Sequence, residues 1–201
     1  MPEAIEMRLT ELLRAGAMDD VATLAIQTYG PELYGFLSNV MGGSADAADV
    51  LSQTIEDFWS ALPRFRGQCT IRTWLYTLAQ HANSRYWRSP WNRGRRTGDS
   101  KLHELVAHVQ TRTAPWQQTD VKDKWHDLRQ TLAPDDRALL VLRIDRGLKW
   151  DEIVRITLGR TEKDMEAVEL RREAARLRKR LQLLKESLRA RALSAGLIEE
   201  P

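Results

Sequence analysis

The side chains best suited to holding an unpaired nucleic-acid strand gather between Phe65 and Arg88. Such binding takes cations against the phosphates, flat rings to stack on bases, and amides or hydroxyls to meet base edges. At about 100° per residue, Thr73, Tyr76, Gln80, Ser84 and Trp87 share one side of a helix, bordered by Arg72, Arg85 and Arg88. Ile71, Leu75, Leu78 and Ala82 form the apolar stripe opposite, so the mixed face is expected at the surface. The approach Phe65-Arg66-Gly67-Gln68-Cys69-Thr70 adds backbone amides beside a glycine, which suits close approach of an extruded base. Phe65 and Trp74 also read as core residues, Trp74 standing at the border of the stripe. His81 and Asn83 complete the candidate set, and His81 has no second metal ligand at helical spacing.

A different chemistry precedes it. Ser44 is placed to cap a helix reaching Leu62, in which Leu51, Ile55, Phe58 and Leu62 form the buried stripe. Asp46, Asp49, Gln53 and Glu56 recur at three, four and three on a separate, acidic stripe that suits a basic partner. After a break over Pro63–Gly67, the second helix is expected from about Thr70 to Arg88.

In the C-terminal half, Pro134 stands near the first turn of an apolar helix that Gly147 ends, and Leu148–Val154 begins another. Gly159 opens an acidic turn in which Thr161 and Asp164 fit a capping box. Beyond it Leu170, Ala174, Leu177, Leu181, Leu184 and Leu188 alternate by four and three, leaving Arg171, Arg172, Arg176 and Lys179 outside the stripe. The same spacing is a heptad seam, so a dimeric coiled coil is the alternative use of this segment.

Bulk properties narrow the class. A length of 201 residues with few β-branched alternations predicts an all-α chain of two small helical domains joined by a flexible linker. Their bounds are 1–88, a linker over 89–120 containing a short amphipathic helix at Leu102–Val109, and 121–201. Net charge is only +3, but Arg171–Arg191 holds nine Lys/Arg against two Glu, and Arg85–Lys101 six against one Asp. Patches of this kind give a salt-dependent affinity for phosphates. One cysteine excludes an intramolecular disulfide, and no apolar run is long enough to span or insert into a membrane. A cytoplasmic protein without cofactor or metal is expected. Neither a nucleophile–base pair nor a phosphate-cradling glycine loop points to an enzyme.

From Asp46 to Tyr76 the order of residues resembles region 2 of the extracytoplasmic-function sigma factors. Asp46-Ala47-Ala48-Asp49 through Trp59 follows the family's D-A-E-D-L-V-Q-E-T-F-x-x-A-W, and Phe65 through Tyr76 its F-R-G-x-x-x-F-R-T-W-L-Y. Leu132–Arg143 and Gly147–Val154 resemble region 4, although the family's short turn before the recognition helix is replaced by Arg160–Glu169. The resemblance implies a bacterial subunit of RNA polymerase. By it, Asp46, Asp49, Gln53 and Glu56 would dock on the clamp helices of the largest polymerase subunit. Phe65, Arg66, Gly67, Gln68, Arg72, Thr73, Trp74, Tyr76, Gln80, His81, Asn83, Trp87 and Arg88 would meet the melted −10 element. Lys149, Arg171, Arg172, Arg176 and Lys179 would meet the −35 element in the major groove. The flap of the second-largest subunit and an anti-sigma factor are further implied partners. Many members carry Asn where this chain has Gln80-His81, so the family's base preference is not carried over. The rival reading is a helix-turn-helix regulator acting without polymerase, which leaves the acidic stripe and the aromatic face unused.

Overall fold

The computed structural model describes residues 2–42, 44–88, 120–160 and 165–199. The expected linker helix at 102–109, the Thr161–Asp164 box and the side chain of Ser44 lie outside the described residues. Among those described, every regular element is helical. They divide into two compact units, Met1–Ala114 with Arg155–Asp164, and Pro115–Val154 with Met165–Pro201.

In the first unit, α1 (Pro2–Arg14), α2 (Met18–Met41), α3 (Ser44–Ala61) and α4 (Ile71–Arg88) form a bundle. Gly42, in the left-handed conformation at φ 75°, caps α2. The stripe of α3 is buried as its spacing requires: Leu51, Ile55 and Phe58 are at most 1% exposed. Ile26, Leu33, Phe36 and Leu37 of α2 and Leu75 of α4 are buried too, and the three helices pack on one another. A turn of 3₁₀ helix at Leu62–Arg64 ends this run, and Gly67 then takes φ +66°. A Cβ there would meet nothing within 4 Å, so the left-handed backbone rather than space requires glycine.

Helix α4 corrects the expectation of an exposed mixed face. Ile71, Leu75 and Ala82 are buried, but so are Thr73, Trp74, Tyr76, Thr77, Asn83 and Tyr86, while Leu78 is only half-buried. The physical reason is that α1, α2 and α3 all pack on α4, closing more of its circumference than one stripe. Each polar group so enclosed needs a partner, because an unpaired one costs its desolvation. Thr77 Oγ1 donates to Thr73 O at 2.9 Å, Trp87 Nε1 donates to Asn83 Oδ1 at 3.0 Å, and the Tyr86 hydroxyl donates to Asp46 Oδ1 at 2.6 Å.

The second unit holds α5 (Asp120–Gln130), α6 (Pro134–Leu140), α8 (Ala167–Ser194) and, through Val154, the first part of α7 (Trp150–Leu158). Pro134 stands at the start of α6, where its missing N–H costs nothing. The helix widens into a π turn over Val141–Asp145 before Gly147, at φ +65°, reverses the chain. Glu152 accepts from the Lys149 backbone N–H at 2.8 Å, the returning half of a capping box that starts α7. Ala174, Leu177, Leu181 and Leu184 of α8 are buried, with α5 and α6 packed on that helix. Leu170 and Leu188, at the ends of the expected stripe, are half-buried. The stripe therefore serves the core of its own unit rather than a seam with a second copy.

Candidate functional site

Burial of α4 moves the candidate surface to the loop before it and to its last turns. Arg66 and Gly67 are exposed and Gln68 is half-buried. Phe65 is half-buried, its ring stacked on Trp74 with centroids 4.4 Å apart and planes 17° from parallel. Trp74, itself 7% exposed, also leans on Phe58 at 5.1 Å. Trp74 thus supports the loop from beneath and does not offer a face to a base. Tyr76 is fully buried, edge-on to Phe36 at 5.3 Å. Thr73 turns its hydroxyl to that of Thr70 at 2.8 Å.

Arg72 is likewise redirected. Its Nε and Nη2 donate to the two Glu32 oxygens at 2.7 and 2.9 Å, and its guanidinium lies 5.9 Å from the Tyr76 ring centroid. A bidentate pair of this geometry fixes α4 against α2 and leaves the cation committed within the protein. Of the expected −10 residues at the end of α4, His81, Trp87 and Arg88 are exposed and Gln80 is half-buried; Asn83 is enclosed beneath Trp87. Trp87 keeps 48% of its surface accessible while its ring meets Tyr86 edge-on at 5.6 Å, so a flat apolar face is held in place in solvent.

The acidic stripe of α3 is on the surface of the same bundle. Gln53 is exposed and donates to Glu56 at 3.3 Å and to Asp57 at 3.2 Å, which spreads the carboxylates along the helix. Asp49 and Glu56 are half-buried. Asp46 is exposed yet tied through Tyr86 to α4, and Asp57 pairs with Arg85. Helix α3 and the last turns of α4 are therefore joined by two direct links.

In the second unit the cations divide by role. Arg143 and Arg178 lie 5.0 and 5.4 Å from the Trp150 ring centroid, and Arg143 Nη1 donates to Leu148 O at 2.7 Å. Arg180 donates to Asp136 at 2.6 Å, Arg191 to Thr131 at 2.8 Å, and Arg129 pairs with Asp145 at 2.8 Å. Lys149, Arg172 and Lys179 are exposed. Arg171, exposed, donates to the carbonyl of Ala167 at 3.0 Å, and Arg176 lies 3.6 Å from Glu173.

Three features lay beyond the sequence patterns. Glu6 accepts from the backbone N–H groups of Ile71 and Arg72 at 3.0 Å each and from the Tyr29 hydroxyl at 2.8 Å. Burial, and then that hydrogen bond to Glu6, pushes the Tyr29 phenol well above its ordinary range, keeping it a donor. The Glu32–Arg72 pair and the approach of Arg143 and Arg178 to the Trp150 ring were equally unmarked by local spacing. A segment separation of 65 residues between Glu6 and Ile71 leaves no helical periodicity to find. Among the described residues no cluster of His, Cys, Asp and Glu could hold a metal, and no helix is long and apolar enough to cross a membrane.

Comparison with known proteins bears on this arrangement. Residues 25–93, which hold most of α2 and all of α3, the loop and α4, match the family model Sigma-70 region 2. The chain is also similar to the RNA polymerase sigma-H factor of Pseudomonas aeruginosa, with 23% identity over 143 residues, covering 66% of this chain and 72% of that protein. Residues 25–93 thus carry a Sigma-70 region 2 domain on this bundle, and the chain is similar to a sigma factor along most of that protein's own length.

Proposed function

We propose that this is an alternative sigma factor of the extracytoplasmic-function kind, which carries no catalytic group of its own and relies on core polymerase for metal and phosphoryl chemistry. The observation that carries the reading is the pairing, on one bundle, of an acidic α3 face with a loop that exposes Arg66 and Gly67 and a cationic, aromatic end of α4. Asp49 and Gln53, with Asp46 and Glu56 beside them, are the contacts to the clamp helices of the largest subunit. Arg66, Gly67, Gln68, Gln80, His81, Trp87 and Arg88 meet the melted −10 strand. Phe65, Arg72, Thr73, Trp74, Tyr76 and Asn83 shape that surface from within.

In the second unit Lys149, Arg171, Arg172, Arg176 and Lys179 bind the −35 duplex, chiefly through phosphates, with Arg able to pair bidentately with guanine. The domain limits 1–88 and 121–201 follow from this division of labour. The polymerase flap and an anti-sigma factor are further partners, and the protein works in the cytoplasm at the nucleoid. A helix-turn-helix regulator acting alone would have no use for the α3 face. Asp49→Arg tests the difference: it is expected to weaken binding to core polymerase by about 2–5 kcal/mol, read by co-purification, with circular dichroism unchanged. Undiminished binding removes the clamp assignment, and tight sequence-specific duplex binding without core favours the regulator.

A further inference from the structure

We infer that Glu6, on a helix outside residues 25–93, is a positioning residue for promoter opening that acts through the N-terminus of α4. The inference rests on the reading that the loop at 65–70 meets the melted strand. The first N–H groups of a helix have no partner within it and must find one elsewhere. In α4 the N–H groups of Ile71 and Arg72 donate to the two Glu6 oxygens at 3.0 Å each, and that of Thr73 donates to Thr70 Oγ1 at 3.1 Å. A carboxylate at this end also faces the positive pole of the helix.

Glu6 is itself held. The Tyr29 hydroxyl donates to it at 2.8 Å, Tyr29 is 4% exposed, and Leu9, one turn further along α1, is fully buried. The exit of the loop, at Thr70, therefore stands where α1, α2 and α4 are locked together. The other end is fixed by the Phe65 N–H donating to Leu62 O at 3.0 Å and by the Phe65–Trp74 stack. Between the two anchors only Gly67 has a positive φ. A loop pinned at both ends presents Arg66 and Gln68 in one arrangement, so the ordering is done before DNA arrives.

The test uses holoenzyme assembled from core polymerase and the full chain, on a duplex that the wild-type holoenzyme transcribes. Opening is followed by the fluorescence of 2-aminopurine placed in the −10 element. Glu6→Gln replaces one accepting oxygen with a donor at equal size and is expected to slow opening roughly tenfold, with core affinity within about twofold of wild type. Tyr29→Phe keeps the ring and is expected to act in the same direction with a smaller loss; it decides the question if Glu6→Gln does not fold. Each variant is crossed with base substitutions along the −10 element in a double-mutant cycle. Positioning predicts coupling, with the penalty for a wrong base shrinking in the variant, whereas a general loss of stability gives additive effects. Additive effects, or opening at the wild-type rate, overturn the inference while leaving the proposed function standing. If base substitutions leave wild-type opening unchanged, the −10 reading falls and this inference falls with it.

Discussion

In the N-terminal bundle α4 is enclosed by three other helices, and Thr73, Thr77, Asn83 and Tyr86 turn to partners inside the protein; in the C-terminal unit α8 gives one stripe to the core and leaves Arg171, Arg172, Arg176 and Lys179 outside. The difference separates two ways of presenting a cationic surface. On α8 the candidate DNA contacts lie along a helix face, and their loss should leave the fold untouched. On α4 the candidate surface is confined to a loop and the last turns, and the residues beneath it hold the bundle together. Binding and stability are thus separable in one unit and coupled in the other.

The sharpest way to break this contrast is at Tyr76. If its burial against Phe36 is as described, Tyr76→Ala costs about 3–5 kcal/mol in urea denaturation, the range for removing a large buried ring. A change within about 0.5 kcal/mol, as for a surface site, would restore the exposed face that its place among polar residues suggested. Arg72→Ala is expected to fall between, at about 1–3 kcal/mol, because it removes two charged bonds to Glu32 that are only partly shielded from water. A loss of DNA affinity without loss of stability would instead return Arg72 to the DNA-contacting set. The smallest change in stability, within about 0.5 kcal/mol, is expected for Arg172→Ala combined with Lys179→Ala. Its effect lies in the salt dependence of −35 binding, whose log–log slope should shrink by about 2. An unaltered slope would take these cations off the phosphates.

How far the sequence could be read follows from the same contrast. The stripes of α3 and of central α8 are legible because a helix packed on one side shows its buried positions as a 3.6-residue period. Leu51, Ile55 and Phe58, and Ala174, Leu177, Leu181 and Leu184, fall where that period requires. On α4 the period misleads, since several neighbours bury Thr73, Tyr76 and Asn83 along with the apolar stripe. Residue type cannot distinguish an exposed tyrosine from one buried on a distant phenylalanine. Trp74 was legible as a core residue from its place beside the stripe, and the structure adds that it carries Phe65. Glu6 and Glu32 were invisible because their partners are brought to them by tertiary packing alone.

The central claim is that this chain directs RNA polymerase to promoters. It is tested most directly by adding the purified protein to core polymerase on a pool of promoter duplexes and sequencing the run-off transcripts. The expected result is transcripts from a discrete subset that shares a −10 and a −35 sequence, and none of these with core alone. The same background transcripts with and without the protein, on every template, would contradict it.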